Sequence, residues 1–297
     1  MDSRPLVSVG LPTYNRALDL KRAIESVLGQ DYSNFELIIS DNASTDETQR
    51  VCEEFCARDQ RIQYIRQPRN AGARANFLEV LRLARADYFM WLGDDDWLES
   101  SYLSCCTEQL IENPDFSMVA GTVNYFVEGQ LLPHNETIKL LQPCAQDRVP
   151  AYYKQVILNG VLYGVMRREL IARAWPPNVL GGDWLMIAAL GFMGKIDTIN
   201  TTSVNRSFAG SGDLDTHVRT LGLSALHAWL PEVSIAASAC KDVAWGSSAY
   251  ASVNRLARFS LALRVFLAFC QRYWRLFWEH PAQSVHSFKD RMFRIPS

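Results

Sequence analysis

Tyr88-Phe89-Met90-Trp91-Leu92-Gly93-Asp94-Asp95-Asp96 sets five apolar residues directly before a glycine and three carboxylates. The apolar part is short and aromatic-rich, so residues 88–92 read as a buried strand. Three consecutive carboxylates behind such a strand repel one another and resist burial unless a cation or strong donors neutralise them. A solvated acidic turn is the ordinary alternative, and the flanking Trp91 and Trp97 argue against it. A divalent ion with hard oxygen ligands, Mn²⁺ or Mg²⁺, would satisfy the carboxylates, and alternate residues of an extended segment point to one side. Such an ion would bridge a diphosphate and offset the charge that grows on it as it leaves.

Toward the N-terminus the same pattern repeats. Residues 6–11 form a short apolar run ended by Pro12, and residues 36–40 and 62–65 read as two further strands. Between them, Leu20, Ala23, Ile24, Val27 and Leu28 recur at helical spacing, as do Thr48, Val51, Cys52 and Phe55. Ser44-Thr45-Asp46-Glu47 has the form of a capping box, and Asn76 that of a cap for a helix through Phe77, Val80, Leu81 and Ala84. Strands alternating with helices over short connections predict a mostly parallel sheet flanked by helices. Ligands bind such sheets beyond the carboxyl ends of the strands. The polar clusters Thr13 to Arg16, Asp41-Asn42, Pro68 to Asn70 and Asp94 to Asp96 all fall there.

Beyond residue 100 the pattern loosens. Residues 116–126 and 161–166 look like strands, 130–150 like loop, and 185–192 like a helix. After about Leu221 the pattern is helical nearly to the end. The C-terminal stretch is also unusual in charge: residues 255–294 carry eight Lys/Arg against two Asp/Glu in a chain of net −2. On a helical wheel, Leu256, Phe259, Leu263, Phe266, Trp274 and Phe277 gather on one half, and Arg258, Arg264, Arg272 and Arg275 on the other. A basic amphipathic helix of this kind can lie on an anionic membrane surface. It can equally pack its apolar face on the rest of the chain or on a second subunit, making a homo-oligomer.

Composition excludes several classes. At 48% hydrophobic and 21% charged the 297-residue chain is globular, and its mild acidity speaks against a nucleic-acid partner. Seven cysteines with no CxxC pair and no zinc spacing read as structural thiols of a reducing compartment. Met1 to Pro5 lead into no apolar signal stretch, and no run of ~18 apolar residues is present, so the expectation is a cytoplasmic protein that the basic tail can hold at the inner face of the cell membrane.

Taken in order and spacing, Pro12-Thr13-Tyr14-Asn15-Arg16, Asp41-Asn42-Ala43-Ser44-Thr45-Asp46, Asn70-Ala71-Gly72 with Asn76, and Gly93-Asp94-Asp95-Asp96 resemble the family 2 glycosyltransferases of the GT-A fold. The resemblance covers about the first hundred residues closely, is looser over 150–217, and ends there. It implies a GT-A catalytic domain over residues 1–222, with a nucleotide-sugar half (1–100) and an acceptor half (101–222), followed by a helical region (223–297). It further implies an inverting transfer from a UDP, dTDP or GDP sugar to a hydroxyl of a glycan or lipid-linked saccharide of the lipopolysaccharide or cell-surface kind. Position by position, Pro12, Thr13, Tyr14, Asn15 and Arg16 would hold the nucleotide, and Asp41 would accept from the base. Arg74 would lie near the nucleotide unless it is a solvated helix-start arginine. Asp94 would contact the ribose or metal, Asp95 would belong to the nucleotide site, and Asp96 would bind the metal and diphosphate.

The family's later acidic motif corresponds to Gly181-Gly182-Asp183-Trp184, where glycine replaces the first acid, leaving Asp183 as the candidate base. An acceptor hydroxyl must lose a proton as it attacks, and a carboxylate can take it. Without the resemblance, Asp183 reads as the N-cap of the helix behind it. Arg206 would face the diphosphate, and His217 would complete the metal shell or stand as a surface histidine. Gly210-Ser211-Gly212, with Asp213 and Asp215, resembles a segment that closes over the donor. Two rival readings stay open: transfer to a polyprenyl phosphate, which needs no base, and an inactive scaffold of a membrane assembly.

Overall fold

The valine-, leucine- and isoleucine-rich runs of the first hundred residues pair side by side. In the computed structural model, which describes residues 4–207, 218 and 221–279 (side chains of 133–135, 225–226 and 275–279 excepted), β1 (Val7–Thr13) pairs in parallel with β2 (Phe35–Asp41) and β4 (Tyr88–Trp91), and β2 with β3 (Ile62–Arg66). The remaining strands are β5 (Trp97–Leu98), β6 (Phe116–Val127), β7 (Gln130–Glu136), β8 (Val165–Arg167) and β9 (Lys195–Ser207). The sheet order is β3-β2-β1-β4-β8-β6-β9-β5, with β7 on β6. β8 joins both β4 and β6 antiparallel, so the sheet is mixed. Every residue of β1 and β2 is buried. Val9, Leu11, Leu37, Ile38 and Ile39 are fully so, each worth roughly 1.5–3 kcal/mol of transfer free energy.

Pro12 does not end the first strand as expected. β1 runs on to Thr13, with Pro12 opposite Ser40. Pairing with β4 stops at Gly10 opposite Trp91, so on that side the missing N–H of Pro12 has no strand partner to disappoint.

Helices α1 (Ala17–Leu28), α2 (Thr48–Cys56), α3 (Ala73–Leu83) and α4 (Tyr102–Glu112) fill the connections. Two expected caps are not formed. Glu47 precedes α2 with no side-chain cap; Ser44 Oγ accepts from Asn15 N at 2.9 Å instead. Asn76 lies inside α3 rather than before it. Its buried amide donates to Thr13 O at 3.2 Å and Ser40 O at 2.9 Å, tying together the ends of β1 and β2. The expected loop over 130–150 contains β7 and α5 (Ala145–Gln155). The β6–β7 hairpin turns on Glu128 and Gly129, both at positive φ (+49° and +78°). Glutamate seldom takes that backbone, which hid the turn.

By contacts the chain groups into two units: Met1–Thr137, Gly160–Glu169 and Asp197–Gly210 in the first, and Ile138–Asn159, Leu170–Ile196 and Ser211–Ser297 in the second. This grouping interleaves along the chain and does not follow the expected division at 222. The reason lies in the middle helices: α5 and α7 (Gly182–Met193) pack with the C-terminal ones. α7 is buried continuously from Trp184 to Phe192 and so needs cover all round. Arg148 closes its C-terminal end, donating from Nε to Gly191 O at 2.6 Å and from Nη2 to Phe192 O at 3.1 Å. Aromatic contacts join Tyr153 to Phe269 (4.9 Å between centroids) and Phe192 to Tyr250 (4.8 Å). α6 (Arg168–Ala174), α8 (Ala225–Trp229) and α9 (Pro231–Lys241) complete the helices up to α10 (Arg255–Glu279).

α10 is amphipathic, but it is turned the opposite way from ordinary packing. Leu256 (83%), Phe259 (53%), Leu263 (60%), Phe266 (51%) and Trp274 (67%) are exposed. The arginines reach protein partners: Arg258 donates to Val243 O and Ser247 O, Arg264 pairs with Asp147, and Arg272 is buried against Glu232 at 3.5 Å. Leu261, Val265, Ala268 and Phe269 form the inward stripe. The expectation that the wheel's apolar half packs on the rest of the chain is corrected within this unit.

Candidate active site

The loop after β1 is the centre of the first unit's polar cluster. Asn15 stands at φ +52° and Ala43 at φ +62°; strained backbone of this kind persists where surrounding bonds hold it. Those bonds run between the two loops. Thr45 N donates to Asn15 Oδ1 at 2.8 Å, Arg16 N to Thr48 Oγ1 at 3.2 Å, and Ala17 N to Asp46 Oδ2 at 3.2 Å. Asp46 thus caps α1 from the neighbouring loop, while its Oδ1 accepts from Thr48 N at 3.0 Å at the start of α2. Tyr14 is left 43% exposed, while Pro12 and Thr13 are buried.

Asp41, at the end of β2, is fully buried. Its Oδ1 accepts from Ser44 N at 2.8 Å and its Oδ2 from Tyr64 OH at 2.9 Å, with Arg66 Nε at 3.7 Å. A base N–H would share an oxygen already engaged. Asn42 and Asn70 lock the next loop: Asn42 Nδ2 donates to Asn70 Oδ1 (2.8 Å) and Ala71 N to Asn42 Oδ1 (2.9 Å). Gly72, at φ +87°, then turns the chain into α3, whose first turn holds a half-buried Arg74. Burial lowers the pKa of Arg74 from its usual value.

The three carboxylates after β4 take different partners. Asp94 Oδ2 accepts from Thr13 Oγ1 at 2.8 Å and Tyr14 N at 3.4 Å. Asp95 faces Arg16 Nη1 at 3.8 Å, and Arg22, stacked on Trp97, donates to its carbonyl at 2.9 Å. Asp96, 1% exposed, accepts from Ser207 N at 2.8 Å and faces Arg206 Nε at 3.5 Å. Gly93 is required here, since a Cβ would meet Asp96 Oδ2 at 2.7 Å and Tyr163 OH at 2.9 Å. Burial pushes Asp94 up to about 6, against the Thr13 hydrogen bond. Burial likewise pushes Asp96 to about 6, with the Asp95 charge adding to it and Arg206 opposing. Arg206 lies over the rings of Tyr163 (4.9 Å) and Tyr125 (5.9 Å). Tyr125 in turn donates to the buried Glu136 at 2.7 Å. Sequence reasoning passed over Tyr163 and Tyr125, because each sits in a run whose pattern says only core or strand, and over Glu136, which sits in a stretch that reads as loop.

Among the described residues no group of three His, Cys, Asp or Glu side chains converges to hold a metal. His217, Gly210 to Gly212, Asp213 and Asp215 lie outside the described residues.

Asp183 belongs to the second unit. It is not the N-cap: Gly181, at φ +70°, holds that position, and Asp183 lies in the first turn of α7. Its Oδ2 accepts from Asn159 Nδ2 at 2.8 Å, and the adjacent Trp184 ring carries the Arg272 guanidinium 4.7 Å above it. The Asn159-Gly160 dipeptide, a signature of left-handed turns, was the one sequence signal that pointed to Asn159.

The fold matches that of S. aureus TarS in complex with UDP-GlcNAc, with a TM-score of 0.64 over 96% of this chain and 77% of that one at 16% identity. In sequence, the chain is 43% identical over 161 residues to a putative colanic acid biosynthesis glycosyl transferase, WcaA, of Escherichia coli K12, covering 54% of this chain and 57% of that protein. It is 28% identical over 216 residues to an Escherichia coli chondroitin synthase, covering 69% of this chain and 29% of that protein. A Campylobacter jejuni GalNAc(5)-diNAcBac-PP-undecaprenol beta-1,3-glucosyltransferase is 34% identical over 128 residues, 43% of this chain and 41% of that one. The chain therefore spans between about a third and somewhat over half of these relatives. The sequence model described as glycosyl transferase family 2 matches residues 8–174, more than half of the chain. The chain belongs to glycosyl transferase family 2, and its fold is GT-A.

Proposed function

We propose that this enzyme moves a sugar, with inversion, from a nucleoside diphosphate donor to a hydroxyl of a glycan or lipid-linked saccharide in the building of a bacterial cell-surface polysaccharide. The observation that carries the proposal is the cross-tied set Thr13 to Arg16, Asp41 to Ser44 and Asp94 to Asp96 at the carboxyl ends of β1, β2 and β4. UDP is the first donor nucleotide to test, because the matched TarS structure carries UDP-GlcNAc; dTDP and GDP sugars follow.

The residues present fit Mn²⁺ or Mg²⁺. Asp94 and Asp96 offer hard oxygens that burial raises toward neutrality, an environment in which a nearby cation would favour the charged forms. Such ions are commonly held by one or two carboxylates together with substrate phosphates. Bound there, the ion would supply charge stabilisation to the departing diphosphate. Arg206 would add a fixed positive charge on the same side. Asp183 would take the proton of the acceptor hydroxyl as its oxygen bonds to the anomeric carbon, and the bond to the diphosphate would break with its electron pair on the nucleotide.

Asp96→Asn tests the metal role while keeping the side chain's shape. UDP-GlcNAc should raise the wild-type melting temperature in the presence of Mn²⁺, and the variant should lose that gain. Mn²⁺-dependent stabilisation and turnover near wild-type values in Asp96→Asn would overturn the assignment.

A further inference from the structure

The second unit builds a short relay onto Asp183. Asn159 Nδ2 donates to Asp183 Oδ2 at 2.8 Å, and Asn159 Oδ1 accepts from Tyr152 OH at 2.8 Å. Because the tyrosine hydroxyl takes the oxygen end, the amide has one sense only, with its NH₂ toward the acid. Both relay members are inaccessible: Tyr152 is fully buried and Asn159 is 1% exposed. Asp183 itself is half-buried. Its Oδ1 makes no hydrogen bond to any described residue.

The backbone at Asn159 makes the arrangement more telling. It sits at φ +54°, a conformation that costs a non-glycine residue about 1–3 kcal/mol. Asparagine tolerates it best among residues with a long enough polar side chain, and glycine would take it freely. A turn needed only for chain direction would be served as well or better by glycine. A carboxylate in the first turn of a helix is already favoured by the helix's own N–H groups and needs no buried amide to hold it.

We propose that Asn159 is a positioning residue for the transfer reaction: it pins Oδ2 of Asp183 so that Oδ1 is presented to the acceptor, and Tyr152 sets the sense of the amide. The inference rests on Asp183 as the base. With water as acceptor, the water proton passes to Asp183 Oδ1, the water oxygen bonds to the anomeric carbon, and the bond to the β-phosphate breaks with its electron pair on UDP.

The test is UDP release from UDP-GlcNAc by full-length wild type, Asn159→Gly, Tyr152→Phe, Asp183→Asn and the double variant of Asp183→Asn with Asn159→Gly. Asn159→Gly takes the backbone conformation without strain but leaves the buried Tyr152 hydroxyl without its acceptor, so its melting temperature should fall modestly, and activity is compared at a temperature where both proteins are folded. Its kcat should fall about 10- to 100-fold, the range expected for a mispositioned reacting group, with KM for the donor within about twofold. Tyr152→Phe should lose less. A residue acting only through Asp183 has nothing left to position in Asp183→Asn, so Asn159→Gly should cost nothing further there. A purely structural asparagine would instead lower both backgrounds by the same factor, and that result, or a near-normal Asn159→Gly, would overturn the proposal. An inactive Asp183→Asn beside a normal Asn159→Gly would sink the positioning role alone. Near-normal turnover by Asp183→Asn would remove the base, and the inference with it.

Discussion

Glu36 shows how this protein spends a buried charge away from the site. It lies at the start of β2, 4% exposed, and accepts from Ser8 Oγ at 2.6 Å, Arg85 N at 2.9 Å and Arg85 Nε at 2.8 Å. Ser8 also accepts from Ala86 N, so one carboxylate organises the entry to β1, β2 and β4 together. Burial pushes its pKa up, yet the Ser8 and Arg85 bonds outweigh burial and leave it below its usual value. A carboxylate depressed in the folded state contributes stability above its unfolded pKa of 4.5, and loses it as pH falls through the lower folded value. Glu36→Gln should therefore destabilise the protein at neutral pH by about 1–3 kcal/mol, the cost of weakening a charged buried hydrogen-bond set. The gap to wild type should narrow once pH drops below 4.5. Urea unfolding at neutral and acidic pH reads both; a gap that widens in acid would show that Glu36 is not held in its charged form.

At the scale of elements, legibility follows the range of the interactions that set each one. β1, β2 and β4 were readable because their burial is written in largely consecutive apolar residues, and strands buried on both faces leave little other reading. Ser44 and Asn76 do not act as local caps because their partners lie 29 and 36 or 63 residues away, and a local motif carries no trace of that; Asp46 does both, accepting from Thr48 N at the start of α2 and from Ala17 N 29 residues away. The site's acids were visible as a cluster, whereas the Tyr163 and Arg206 that enclose Asp96 arrive from β8's approach and from β9. For α10 the periodicity gave the two faces and left their orientation open. Its inward arginines find carbonyls and acids, leaving an aromatic stripe that starts at Leu256 and reaches Trp274, with Trp245 against Phe259 at 5.9 Å. Trp and Phe at exposed positions suit a lipid interface, and with Arg272 buried and Arg264 paired the electrostatic part of the attraction shrinks. We expect zwitterionic vesicles to recruit the protein nearly as well as anionic ones, with little effect of salt. Replacing Phe259, Phe266 and Trp274 with Ser should abolish co-sedimentation and lower the melting temperature only slightly, because more than half of each residue's surface is exposed. Light scattering that shows a dimer dissociated by the same substitutions would assign the stripe to a second copy instead. No helix among the described residues is long and apolar enough to cross a membrane.

For the whole molecule, the grouping of contacts into two interleaved units separates the tasks assigned above. The residues proposed to hold the donor, from Pro12 to Arg16, Asp41 and Asp94 to Asp96, all belong to the first unit, and so does Arg206. Asp183, Asn159, Tyr152 and the exposed stripe of α10 belong to the second. Donor binding should then stabilise the first unit locally, in addition to raising global stability. At about a hundredfold excess over Kd, a ligand that binds only the folded state adds roughly 2.7 kcal/mol. The strained backbone at Asn15 and Ala43, held by hydrogen bonds between two loops, is where that ordering should concentrate. Hydrogen exchange with UDP and Mn²⁺ should slow at residues 12–17, 41–48 and 93–96 by an order of magnitude or more, because local opening of those loops would release the nucleotide. Amides within α7 and α10 should change only as much as global stability requires. Protection confined to the second unit, or spread evenly over both, would place the nucleotide elsewhere and undo the residue assignments at the ends of β1, β2 and β4.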